Sequence, residues 1–108
     1  MLKKVNRLAK SKEIHTAFAQ GRTFFNPFFT IKFLPSAGAK KLTVVVSTKV
    51  YKNAVDRNRL KRIIRELIKK RLPGLNTGLY VIMAKSKVTK IKEVEALSSL
   101  ELLLNKTK

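Results

Sequence analysis

The sequence predicts a small α/β sandwich of the α+β kind, with the element order α-β-β-(β)-α-β-α, the bracketed strand being a short extra one near Phe24. Three observations predict it. Two runs, "LTVVVS" over 42–47 and "GLYVIMA" over 78–84, are almost continuously apolar, as expected of strands buried on both faces. Between them Leu60, Ile63, Ile64, Leu67 and Ile68 recur at spacings of three and four, which is one face of an α-helix. Strand, helix, strand in this order is a β-α-β crossover, so the two strands should be parallel and adjacent.

The elements follow in chain order. Residues 1–10 form a basic lead-in with room to be flexible, and the whole of 1–108 is read as one domain. Ser11 can cap a short helix with Glu13 in its first turn, Gly21 just past its end, and Ile14, Ala17 and Phe18 as its apolar stripe. "FFNPFFTIKFLP", 24–35, reads as a roughly extended stretch in which Pro27 is tolerable only at an edge or a kink. Alternation sends Phe29, Ile31 and Phe33 to the core and Phe28, Thr30 and Lys32 to the other face. "LPSAGAKK", 34–41, is a surface loop. Asn53 caps the long helix, with Asp56 near the positive end of its dipole. "LPGLNTG", 72–78, stops that helix and leads into the strand at 78–84. A final helix near 89–104 takes Thr89 as its cap and carries Ile91, Val94, Leu97, Leu100 and Leu104 on one side.

Charge narrows the function. The chain has 25 Lys plus Arg against 6 acids, a formal charge of +19, and such a chain repels itself unless a polyanion neutralises it. Nucleic acid or an anionic membrane are the natural partners. No apolar run approaches the ~18 residues that span a bilayer, and "MLKKVNRLAK" lacks the apolar core of a signal peptide, so a cytoplasmic protein is expected. The absence of cysteine excludes thiol catalysis and thiolate zinc sites.

The positive charge concentrates on the long helix. From Asn53 to Arg71 there are eight basic residues and two acids. Helical geometry puts Arg57, Lys61 and Arg65 in one exposed row, with Asn58, Arg62 and Lys69 beside it and Arg59 and Lys70 further round. Cations four apart repel by a few tenths of a kcal/mol, and cations near a helix start also oppose the dipole. A helix shaped for stability alone would interleave glutamate. The pattern therefore points to a phosphate-binding surface, in which arginine forks bond phosphate bidentately and stack on bases, and Asn58 can reach a 2′-hydroxyl or a base edge.

A self-sufficient nuclease would need an acid–base pair or a carboxylate cluster for metal. The six acids, Glu13, Asp56, Glu66, Glu93, Glu95 and Glu101, are scattered over three predicted helices. His15 is the only histidine and belongs on the surface of the first helix, and none of the four glycines makes a phosphate loop. The aromatics Phe24, Phe25, Phe28, Phe29 and Phe33 raise a base-stacking reading, against which core packing is weighed.

"KNAVDRNRLKRIIRE", with the preceding "VVVSTKV" and the opening "NRLAKSKEIHTAFAQGR", resembles the signature segments of the bacterial ribonuclease P protein family. The resemblance covers residues from about 6 to 85 in the same order. It implies a fold like ribosomal protein S5 domain 2, with a left-handed crossover carrying the basic helix. It further implies a protein subunit that is not itself the catalyst: the partner is the catalytic RNA of ribonuclease P, which uses magnesium to remove the 5′ leader of precursor tRNA by endonucleolytic hydrolysis. Carried over to this chain, Arg57, Asn58, Arg59, Lys61, Arg62, Arg65 and Lys49 are the RNA-binding residues. Ile14, Phe18, Ser47 and Lys85 line the groove for the leader. Neither a membrane nor DNA is an expected partner, and no protein-bound metal is expected. Ile14 stands where the family commonly has an aromatic, Thr48 where it has a second lysine, Tyr51 where it has glycine and Asp56 where it has an apolar residue. The competing reading is a small basic ribosome-associated protein that stabilises structured RNA.

Overall fold

The computed structural model describes residues 11–36 and 40–107. The basic lead-in and the centre of the 34–41 loop lie outside them. Helix α1 spans Ser11–Gln20, followed by strands β1 (Arg22–Phe25), β2 (Phe29–Pro35) and β3 (Lys40–Val45). Helix α2 spans Ala54–Arg71, β4 spans Gly78–Ala84 and α3 spans Glu93–Asn105. Short 3-10 turns occupy Leu72–Gly74 and Ser86–Lys90.

One four-stranded sheet has the order β1-β2-β4-β3. β3 and β4 pair in parallel, as the crossover requires, while β2 joins both β1 and β4 antiparallel. The short extra strand near Phe24 is β1. The stretch over 24–35 is not one extended run but a hairpin, and Pro27 sits in its turn. Asn26 builds that turn: its Oδ1 accepts from the backbone N–H of Phe28 and of Phe29, each at 2.8 Å. Its Nδ2 donates to Ser99 O at 3.2 Å and ties the hairpin to α3. The Asn-Pro pair was the available sequence signal.

The two sheet faces are covered differently. Phe29, Ile31 and Phe33, Leu42 and Val44, and Tyr80 and Ile82 face a main core shared with Leu60, Ile64 and Ile68 of α2 and Ala96, Leu100, Leu103 and Leu104 of α3. Phe33 and Tyr80 stack there with centroids 4.5 Å apart. Phe28, placed by alternation on the opposite face, packs against this core because the turn interrupts the alternation before Phe29. The second face carries α1, whose fully buried Ala17 rests on fully buried Val81, with Ile14, Leu34, Leu79 and Met83 around them. Gly21 lets α1 end against the sheet: a Cβ there would collide with Ala17 O and crowd the Phe33 backbone.

β4 is buried on both faces, as its sequence indicated. β3 is not. It is an edge strand ending at Val45, which is 39 % exposed, because α1 covers β2 and β4 and leaves the outer strand's second face open. The last helix also starts later than its periodicity suggested. The Thr89 hydroxyl donates to Ser86 O at 3.0 Å within the 3-10 turn, so it caps that turn and not α3. Starting at Glu93 turns Ala96, Leu100, Leu103 and Leu104 inward and leaves Val94 in solvent. No helix among the described residues is long and apolar enough to cross a membrane.

Candidate nucleic-acid interface

The start of α2 is the most heavily organised part of the basic surface. Asn53 Oδ1 accepts from Val55 N–H at 2.9 Å, the expected N-cap. Upstream, Ser47 O accepts from Val50 N–H at 3.0 Å and Ser47 Oγ from Lys49 N–H at 3.3 Å, which folds 47–50 into a tight turn. Ser86 Oγ donates to Lys49 O at 3.4 Å, so the segments leaving β3 and β4 meet beside the helix start.

The row Arg57, Lys61, Arg65 is not the outermost line of the helix. All three residues are half-buried, whereas Asn58, Arg59, Arg62, Lys69, Lys70 and Arg71 are exposed. Arg57 lies seven residues before buried Ile64, two turns along the same side, and so points toward the body of the protein. Its guanidinium donates to Lys52 O at 2.7 Å and to Tyr51 O at 3.1 Å, clamping the chain that enters α2. Arg57→Ala is therefore expected to cost about 1 to 2 kcal/mol of stability, less than a fully buried charged bond because the site is wet. Arg62→Ala should stay within about 0.5 kcal/mol of the parent. Thermal melting of the two variants checks this.

Arg59 is also engaged: its Nη2 lies 3.0 Å from Glu93 Oε2 at the start of α3, an exposed pair of little energetic worth. Arg71 and Glu101 make a similar link at 2.9 Å near the other end of α2. The side chains of Asn58, Lys61, Arg62 and Arg65, by contrast, form no hydrogen bond or ion pair with another described residue. Their side-chain donors are left to water, with no protein partner among the described residues.

The residues assigned to a groove lie around the opposite face of the sheet. Ile14 is half-buried under α1, and Phe18 on the same helix is 42 % exposed. Ser47 is exposed where the chain leaves β3. Lys85 closes β4, but it is not a free arm. Its Nζ donates to Asn26 O at 2.7 Å and lies 5.1 Å over the Phe25 ring, which ties it to the tip of the β1–β2 hairpin. The candidate residues thus form two groups on opposite faces of the sheet, and the segments leaving β3 and β4 meet between them. His15 is exposed, and among the described residues no group of three or more His, Cys, Asp or Glu could hold a metal ion.

The ribonuclease P family model matches residues 2–108. The chain belongs to the bacterial ribonuclease P protein family. It is similar to the ribonuclease P protein component of Xylella fastidiosa, with 32 % identity over 93 % of this chain and 74 % of that protein. Identity with the corresponding component of Dehalococcoides mccartyi is 37 %, over 87 % of this chain and 79 % of that protein. The fold matches the solved Staphylococcus aureus RNase P protein with a TM-score of 0.89 at 25 % identity, covering 97 % of each chain. The Thermotoga maritima RNase P protein matches with a TM-score of 0.84 at 23 % identity, over 94 % of this chain and 97 % of that one. As a member of this family the chain is a protein subunit of ribonuclease P, the ribonucleoprotein endoribonuclease that removes tRNA leaders, and its partner is the RNA of that enzyme.

Proposed function

We propose that α2 and the adjoining 47–50 turn bind the catalytic RNA of ribonuclease P, while the α1 face of the sheet holds the 5′ leader of precursor tRNA. The observation that carries this reading is the set of side chains without a protein partner among the described residues, exposed Asn58 and Arg62 and half-buried Lys61 and Arg65, on a helix rich in cations and poor in acids. Lys49 and Arg59 extend that surface, Arg59 by exchanging Glu93 for phosphate, and Arg57 supports it by holding the loop from which it rises. Ile14, Phe18, Ser47 and Lys85 serve the leader side. The protein orients RNA and neutralises phosphate; the RNA supplies the bond cleavage with magnesium, and the protein holds none of its own. The site of action is the cytoplasm. The ribosome-associated reading would account for the charge but not for the family match across residues 2–108.

The test is reconstitution. Purified protein added to a bacterial ribonuclease P RNA at low magnesium should stimulate precursor tRNA cleavage, whereas the protein freed of RNA should not cut at all. A folded protein that gives no stimulation would sink the proposal, and so would metal-dependent cleavage by the protein alone that Asp56→Asn or Glu66→Gln abolishes.

A further inference from the structure

We propose that Phe25 is a stacking platform for an unpaired base of the leader, held in place by Lys85 at the β1 side of the sheet. This rests on the leader reading above and adds a residue at the far edge of the face from β3.

Register defines the surface. Phe25 pairs with Thr30, Thr30 with Met83, and Met83 with Val45, so these four residues make one row across all four strands on a single face. It is the face that carries α1, since Val81, two residues from Met83, lies beneath Ala17. The middle of the row packs beside the helix, with Met83 against the Ala17–Val81 cluster, and its ends are open. Thr30 and Met83 are half-buried, Val45 is partly open, and Phe25 is 67 % exposed. Three strand spacings separate its ends, about 14 Å at roughly 4.8 Å each. An extended single strand can cross it.

Phe25 differs from the other phenylalanines of the hairpin. Phe29 and Phe33 are buried in the main core, and Phe24 and Phe28 pack against it. The Phe25 ring contributes to neither core cluster. It is instead backed by a cation: Lys85 Nζ sits 5.1 Å from the ring centroid, within cation–π range. The ammonium is fixed there by Asn26 O, and Asn26 is fixed in turn by its bonds to Phe28, Phe29 and Ser99. An ammonium has three donors, so a phosphate next to the stacked base can use those that Asn26 leaves. An aromatic face with a cation beside it, on a chain of charge +19, suits single-stranded nucleic acid, whose bases present faces that a duplex hides.

The chain contains no tryptophan, so Phe25→Trp creates a unique fluorophore. Its emission should be quenched by a short single-stranded RNA of leader sequence and not by the same strand annealed to its complement. In the reconstituted holoenzyme, Phe25→Ala should weaken binding of leader-bearing precursor tRNA about 5- to 150-fold, the range set by loss of one base–aromatic stack. Affinity for mature tRNA and the melting temperature should not move. Phe25→Trp should retain precursor affinity, and Phe25→Leu should not. Wild-type affinity in Phe25→Leu would reduce the ring to an apolar patch and overturn the proposal. So would an equal loss for precursor and mature tRNA, which would assign Phe25 to another RNA contact. If the wild-type holoenzyme itself fails to distinguish precursor from mature tRNA, the leader reading falls and this falls with it. If only Phe25→Ala is without effect, the leader reading stands and the platform does not.

Discussion

Replacing Lys61, Arg62 and Arg65 together with alanine is expected to lower affinity for ribonuclease P RNA about 100-fold at low salt while leaving the protein folded. Each side chain ends in charge without a partner among the described residues. Each contact with phosphate at a partly wet surface is worth about 1 kcal/mol, below the ~1.5 to 3 kcal/mol of a desolvated one. Three such contacts amount to about 3 kcal/mol, and 1.4 kcal/mol is tenfold. Salt provides a second readout. Each phosphate contact contributes roughly −0.7 to −0.9 to the slope of log K against log salt, so the triple variant should lose about 2 to 3 units of slope. Removing three cations from one helix also relieves like-charge repulsion, so its melting temperature should hold or rise slightly. An unchanged slope would mean that this side of α2 is only a solvated face. Arg57 is left out of the set because its guanidinium holds the 51–52 backbone, and its removal would mix folding with binding.

Ile64→Ala should behave in the opposite way. Ile64 has no exposed surface and lies in the core between α2 and the sheet. Truncating it removes buried methyl groups and leaves a cavity, at a cost of about 2 to 5 kcal/mol. In a domain of this size that lowers the melting point by more than about 10 °C. RNA affinity measured well below the new transition should be close to that of the parent, because Ile64 reaches no solvent. A large loss of affinity in the folded variant would show that core packing at Ile64 sets the placement of the basic side chains. Together the two variants separate the inward and outward sides of one helix.

That separation explains what was and was not legible in the chain. The alternation of apolar and charged residues over 53–71 located α2 and its buried side, since helical period is a local property. The side of Arg57 was misplaced: it was put in an exposed row, although its seven-residue spacing to buried Ile64 turns it toward the body, where it is half-buried. The partners that Arg57 finds there were not legible, because they are carbonyls of the preceding loop. Thr89 looked like a cap, yet its hydroxyl is used within the 3-10 turn before α3. Lys85 was assigned to the groove, but only the hairpin that brings Asn26 and Phe25 beside it shows how it is held. Phe25 was one of five aromatics with two readings, and pairing register decides which of them remains in solvent.

The sequence by itself determined the existence of the three helices, though not the start of α3, and the buried character of β4, the parallel crossover from β3 to β4, the Asn53 cap and the dense charge of α2. All but the crossover are written in residues within a few turns of one another, through periodicity, capping and composition, and the crossover follows from the order strand, helix, strand. Tertiary structure alone decided the order β1-β2-β4-β3, which puts β4 in the middle and β3 at an edge, and the placement of α1 on the face opposite α2. Those outcomes depend on which distant strands pair and on which face each helix covers, and the energy that selects them comes from contacts between segments tens of residues apart.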